Sequence, residues 1–191
     1  MTDKIIEKIR SLIEDFGKAD FHIFSYTNSN TFSLPEPNIT SITNVLINGN
    51  PLQSGESYDY DEVNNQITID GVDFTTSHKI EVDYIFNEYS DSNIKKFITA
   101  SLVWLSIFGS CAQDYEFEDD DIYPSPDNKT CDLIAIISSI LIKPDYHEYR
   151  LKDSLVVKCP QKIPKEDKIE QLIEKFNTGV GAVGLIEIEI E

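Results

Sequence analysis

The chain has 191 residues, 34 of them acidic against 16 basic, which gives a formal charge of −18 at neutral pH. Hydrophobic residues make up 40% and aromatics 10%, too much apolar surface for a disordered acidic tail and enough for one domain, or one domain with an insertion. Gripping nucleic acid by neutralising phosphates needs an excess of Lys and Arg, and this balance is the reverse.

The N-terminal stretch MTDKIIEKIRSLIEDF carries charge throughout and has no uninterrupted apolar core of the kind a signal peptide needs. Ile5, Ile6, Ile9, Leu12, Ile13 and Phe16 form a helical stripe over residues 3–16, with Gly17 as its stop. From residue 21 to 87 the texture turns to Asn, Thr, Ser, Tyr and Asp with short apolar runs. SITNVLI precedes Asn48-Gly49, a dipeptide suited to a tight hairpin turn. SYDYD, QITID and KIEVDYIF follow, each bounded by turn formers. This spacing predicts an antiparallel β module, with Pro35 and Pro37 at its start.

At Ser90 the period returns to that of a helix. Ser90 or Asp91 caps a segment running to Gly109, with Ile94, Phe97, Ile98, Leu102, Leu105 and Phe108 on one face. Val103, Trp104 and Ile107 widen that face until the second half is apolar nearly all round, which predicts a central buried helix. The 114–127 stretch holds seven acidic residues and no basic one, and reads as a solvated loop. A second hydrophobic helix is expected over 131–143 and a short strand over Leu155–Val157. Pro164 opens a last helix with Ile169, Leu172, Ile173 and Phe176 on its face. The chain closes on GVGAVG, a hinge, and on LIEIEIE, which alternates strictly. A terminal strand cannot satisfy its own backbone and needs a sheet edge. Two edges are open to it: that of its own β module, or that of a neighbouring subunit or partner. In the second case Leu185, Ile186, Ile188 and Ile190 are the partner-binding residues. Charge is uneven, since residues 143–175 hold eight basic against seven acidic residues and are nearly neutral.

Chemistry-bearing patterns are sparse. His22, His78 and His147 sit in unrelated segments without metal-ligand spacing. Cys111, Cys131 and Cys159 are odd in number and lack a C-x-x-C pair, which reads as reduced thiols packed as small core residues. Glu116 to Asp121, and Asp119, Asp120 and Asp121 above all, could hold a hard cation, but the spacing is not that of a calcium loop and a solvated loop is the better reading. Tyr58, Tyr60, Tyr84 and Tyr89 suit sheet-face packing, with carbohydrate stacking as the alternative.

The segments YSDSNIKKFITASLVWLSIFG, TCDLIAIISSILIK and RLKDSLVVKCPQKIPKEDKIEQLIEKFNTGVG, taken in this order, resemble the head–tail connector (head-completion adaptor) proteins of tailed bacteriophages. NVLINGNPLQSGESYDYDEVNNQITIDG through KIEVDYIF is similar to β modules common in virion proteins. The resemblance implies a structural subunit, not an enzyme and without cofactor. It implies a homo-oligomeric, dodecameric ring between the portal protein and the tail or further neck proteins, through which DNA passes unbound. The chain would be made in the host cytoplasm and reside at the neck of the virion. The alternatives are another neck or tail protein whose β module binds a partner or receptor, and a metal-dependent hydrolase using the acidic loop. The expected fold is α+β. It comprises a helical bundle (1–20 and 88–178), an inserted antiparallel β module (21–87) and a hinge with an extended C-terminal strand (179–191).

Overall fold

A computed structural model describes residues 1–25, 29–53, 55–74, 78–109, 114–151, 155–159, 163–179 and 186–190. Among them are four helices and twelve strands in four sheets, with helix and strand in nearly equal amounts. The expected helical bundle with one inserted β module is therefore not the architecture, which is mixed α/β, with strands among the helices of residues 90–191 as well. The chain divides into two compact units: a β unit, Phe16–Tyr89, and a host unit built from Met1–Asp15 and Ser90–Glu191.

In the β unit, β1 (Lys18–Ser25), β7 (Lys79–Phe86), β3 (Ile39–Ile47) and β4 (Asn50–Pro51) form one antiparallel sheet in that order. A second sheet takes β2 (Thr31–Ser33), β6 (Gln66–Asp70) and β5 (Ser57–Asp61). Burial alternates along β6 and β7, so each sheet has one inward face. Phe32, Ile67 and Ile69 from one sheet and Val45, Ile80, Val82 and Tyr84 from the other share a single core. Asn48 and Gly49 both take left-handed φ, 53° and 79°, the mirror-image turn that suits the twist of the β3–β4 hairpin. Pro35 and Pro37 lie between β2 and β3, inside the unit, because β1 and β2 precede them.

In the host unit the centre is α3 (Asn128–Ile142), which packs against α1 (Thr2–Leu12), α2 (Asp91–Phe108), α4 (Lys165–Gly179) and the strand β10 (Glu148–Leu151). Cys131, Leu133, Ile134, Ala135, Ile136, Ile137 and Ile140 are all buried there. A helix apolar on every side can serve several neighbours at once, and α3 takes the central place that the sequence had assigned to α2. The polar Ser138 and Ser139 are buried with it. Ser139 Oγ donates to the carbonyl of Ala135 at 2.7 Å, a local bond that a helix can supply without any partner outside itself.

Strands complete this core, which is why helices alone do not describe it. β10 pairs antiparallel with β11 (Leu155–Lys158), whose Leu155, Val156 and Val157 are buried. β12 (Ile186–Glu189) adds parallel on the other edge of β11, with Leu155 opposite Ile186 and Val157 opposite Ile188. β8 (Glu116–Glu118) and β9 (Asp121–Tyr123) form a hairpin in the segment expected to be a loop. Its two turn residues, Asp119 and Asp120, both have positive φ (46° and 65°), a conformation that Asp tolerates better than most residues.

The helix ends follow from their caps. Ser90 accepts from the amide of Asn93 and starts α2, and Asp127 accepts from the amide of Thr130 at 2.7 Å and starts α3 three residues before the expected point. α1 ends at Leu12 because Glu14 turns left-handed (φ 57°) and the amide of Asp15 closes on the carbonyl of Arg10. Phe16, expected on the stripe of α1, is 61% exposed and belongs to the β unit. Gly109 ends α2 with φ −76°, so the stop needs no left-handed glycine. Among the described residues no helix is long and apolar enough to cross a membrane.

Candidate functional site

α2 carries two apolar stripes. Ile94, Ile98, Leu102 and Leu105 face the interior of the host unit with Ser101 among them, all buried. Ala100, Val103, Trp104, Ile107 and Phe108 recur at i, i+3, i+4, i+7 and i+8 and line an open recess of about 260 Å³. At 3.6 residues per turn this second stripe lies about 140° round the helix from the first. Val103 is 54% exposed, Ile107 65% and Phe108 42%, so half of their side-chain surface meets water. Trp104 and Phe108 stack with centroids 5.2 Å apart and planes inclined by 23°, which fixes the two rings as one wall of the recess. The buried-helix expectation fails here for a definite reason. Among the described residues only one stripe is buried within the host unit, and the other is an uncharged, half-exposed apolar face on a strongly acidic chain.

The acidic hairpin is structural in its geometry. Asp121 receives the amide of Thr2 at 3.1 Å and the Thr2 hydroxyl at 2.8 Å, with the Met1 amino group at 3.3 Å. It caps α1 from 119 residues away in sequence. The Thr2 hydroxyl first, then the amide of Ile122, hold its carboxyl down to about 2. Asp120 pairs with Lys95 at 2.9 Å, and this bond raises the Lys95 ammonium above its ordinary value. Asp120 and Asp121 thus hold different partners. Among the described residues no group of three or more His, Cys, Asp or Glu side chains is arranged around a metal position.

The remaining sequence candidates fall as follows. Ile188 and Ile190 are buried, the amide of Ile190 donates to the carbonyl of Lys158 at 2.9 Å, and Lys175 Nζ donates to the carbonyl of Glu189. The C-terminal strand is therefore docked on β11 of its own host unit, and not on the expected edge of the β module at 21–87. Leu185, the hinge residues 180–184 and the side chain of Ile186 lie outside the described residues, as does Cys111. Cys131 and Cys159 are buried free thiols, and burial pushes both thiols up, away from nucleophilic use. His22 packs edge-on against Phe24 and His78 against Phe74, in the β unit.

The second stripe of α2 was the surface that sequence reasoning missed. Its signal was present: an apolar arc too wide for one contact means either a fully wrapped helix or a helix with two partners. No protein-family model matches the sequence, and no curated protein matches it either.

Proposed function

We propose that this chain is a structural subunit of a homo-oligomeric ring at the neck of a tailed bacteriophage, joining the capsid portal to the tail. The observation that carries this reading is the uncovered face of α2, Ala100, Val103, Trp104, Ile107 and Phe108, which a neighbouring subunit would cover. The charge supports it as well: at −18 per subunit, a ring repels the duplex it encloses and lets DNA slide. Fully burying a Val, Ile or Phe side chain stabilises by roughly 1.5–3 kcal/mol. With half of that burial still to be made on three residues, covering the face is worth on the order of 3 kcal/mol. Association costs at least about 4 kcal/mol in lost freedom, so this face alone does not hold two subunits together, and the neighbour's own buried surface and the closure of the ring have to add to it.

The test is light scattering of the purified chain over a range of concentrations, with electron microscopy of the cross-linked product. Mass should rise with concentration toward a closed ring, and Val103→Glu with Ile107→Glu should return it to a monomer without lowering the melting temperature. A wild-type chain that stays monomeric up to millimolar concentration, or an oligomer indifferent to both substitutions, overturns the proposal. A second reading, a neck or tail protein whose β unit contacts a partner, is favoured by a polar recess beside Tyr60 in that unit.

A further inference from the structure

The β unit contains eleven acidic residues and two lysines, Lys18 and Lys79, for a formal net of −9. Where the β5–β6 hairpin meets the turn before β3, it encloses a recess of about 260 Å³ lined by Pro37, Asn38, Ile39, Tyr60, Glu62 and Asn65. That volume admits one side-chain head group and several waters at roughly 30 Å³ each. Its walls are rigid. The Tyr60 hydroxyl donates to Asn65 Oδ1 at 2.8 Å, and Asn65 Nδ2 donates to the carbonyls of Leu34 at 2.8 Å and Glu36 at 2.9 Å. Asp61 accepts from the amides of Val63 and Asn64 and fixes the loop above. Val63, at the tip of that loop, also lines the recess and is 94% exposed, so it forms the outer rim. Among the described residues no lysine or arginine lines the recess, and Lys18 is already paired with Glu88.

We propose that this recess binds a guanidinium group, with Glu62 supplying the opposite charge and Tyr60, Pro37 and Ile39 the apolar and aromatic walls. A guanidinium is weakly hydrated and stacks on aromatic and apolar faces, whereas an ammonium holds its water and prefers open carboxylates. The potential in the recess has the required sign. Burial, then the charges of Glu62 and Asp61, raise the Tyr60 phenol above its ordinary value. The walls are already hydrogen-bonded in place, so binding costs little ordering. The site lies in the β unit and stands or falls independently of ring assembly through α2.

The test is a titration of the full-length ¹⁵N-labelled chain with ethylguanidinium chloride, with ethylammonium, sodium and calcium chlorides at matched ionic strength, and with the peptide acetyl-Gly-Arg-Gly-amide. The amides of Asn38, Val63 and Asn65 should move and saturate with guanidinium and not with the other salts. Glu62→Gln, an exposed position that leaves the fold intact, should weaken binding about fivefold, the worth of one near-surface charge contact, and Tyr60→Leu should weaken it further. Stronger binding of the peptide than of ethylguanidinium identifies an arginine on a protein partner, and equal binding identifies a small free cation. Either upholds the guanidinium site. Overturning it takes shifts no larger than those in sodium chloride, an equal response to calcium or ethylammonium, or a Glu62→Gln titration identical to the wild type.

Discussion

Arg10 holds two carboxylates of different standing, and replacing it separates them. Its guanidinium pairs with Asp15 through Nη1 and with Asp91 through Nη2 at 2.6 Å. The Asp15 side chain is 1% exposed, that of Asp91 64%, and that of Arg10 itself 16%. An exposed pair contributes about 0–1 kcal/mol, whereas removing one member of a buried pair costs about 3–5 kcal/mol because a charge stays behind without its counterpart. Arg10→Met keeps the packing of the stem and should therefore destabilise the host unit by about 3 kcal/mol, the low end, since Arg10 keeps some contact with water. Asp91→Asn should cost less than about 0.5 kcal/mol. The chain has one tryptophan, Trp104 in α2, so its fluorescence in a urea titration reports the host unit selectively. At a slope of about 1.5 kcal/mol per molar, the Arg10→Met midpoint should fall by about 2 M. Adding Asp15→Asn to Arg10→Met removes the buried charge that has lost Arg10 and should recover part of the loss. Equal midpoints for Arg10→Met and Asp91→Asn, or a double variant no better than Arg10→Met alone, would refute the argument from burial.

Two further outcomes follow from the turns and caps. Asp121 has its carboxyl lowered from 3.8 to about 2 in the folded chain, so its contribution is present above about pH 4 and fades as pH falls through about 2. At 1.36 kcal/mol per unit the full shift would be worth about 2.4 kcal/mol, but the side chain is 37% exposed, and screening reduces this to about 1 kcal/mol. Asp121→Ala should lose that amount at pH 7 and match the wild type near pH 2 in parallel urea titrations, and a constant gap across pH would contradict the capping role. Gly71 has φ +80°, and a Cβ there would lie 2.3 Å from the Gly55 carbonyl oxygen, while Gly49 at φ +79° has open space around it. Calorimetry of the β unit's transition should therefore show a loss of about 1 kcal/mol for Gly49→Ala, the left-handed penalty alone, and a clearly larger one for Gly71→Ala; equal losses would show that the close approach to Gly55 carries no cost.

Legibility in the sequence tracked whether a signal was local. The stripe of α1 as far as Leu12, the Asn48-Gly49 turn, the Ser90 cap and the strand at Leu155 each depend on neighbours within a few residues, and each is where the pattern put it, while Phe16 lies beyond the end of its helix. The hairpin at 116–123 was hidden by its charge. Its strands are three residues long, and Asp121 stands where it does to serve an amide 119 residues away. β10 and the parallel pairing of β12 were hidden for a related reason, since a strand names its period and not its partner. The second half of α2 is apolar nearly all round, but composition cannot say whether the covering atoms come from the same chain. The recess beside Tyr60 needed three separate segments, the 37–39 turn, β5 and the hairpin loop, to be brought together before it existed.

The two strands that bracket the β unit carry a consequence for the rest of the chain. Lys18 stands opposite Phe86 in the β1–β7 ladder, so while Phe16–Tyr89 is folded the chain leaves and returns at nearly the same point. The host unit then closes a link only a few residues long in effect, and Arg10 grips both sides of it at Asp15 and Asp91. Were the β unit unfolded, the host would instead have to close a flexible loop of 74 residues, at an entropic cost of about 3.8 kcal/mol by the logarithmic rule. Folding of the insertion thus relieves its host of a loop-closure cost through chain connectivity alone. A β-core mutation that unfolds the β unit should therefore lower the stability of α1 and α3 without touching either.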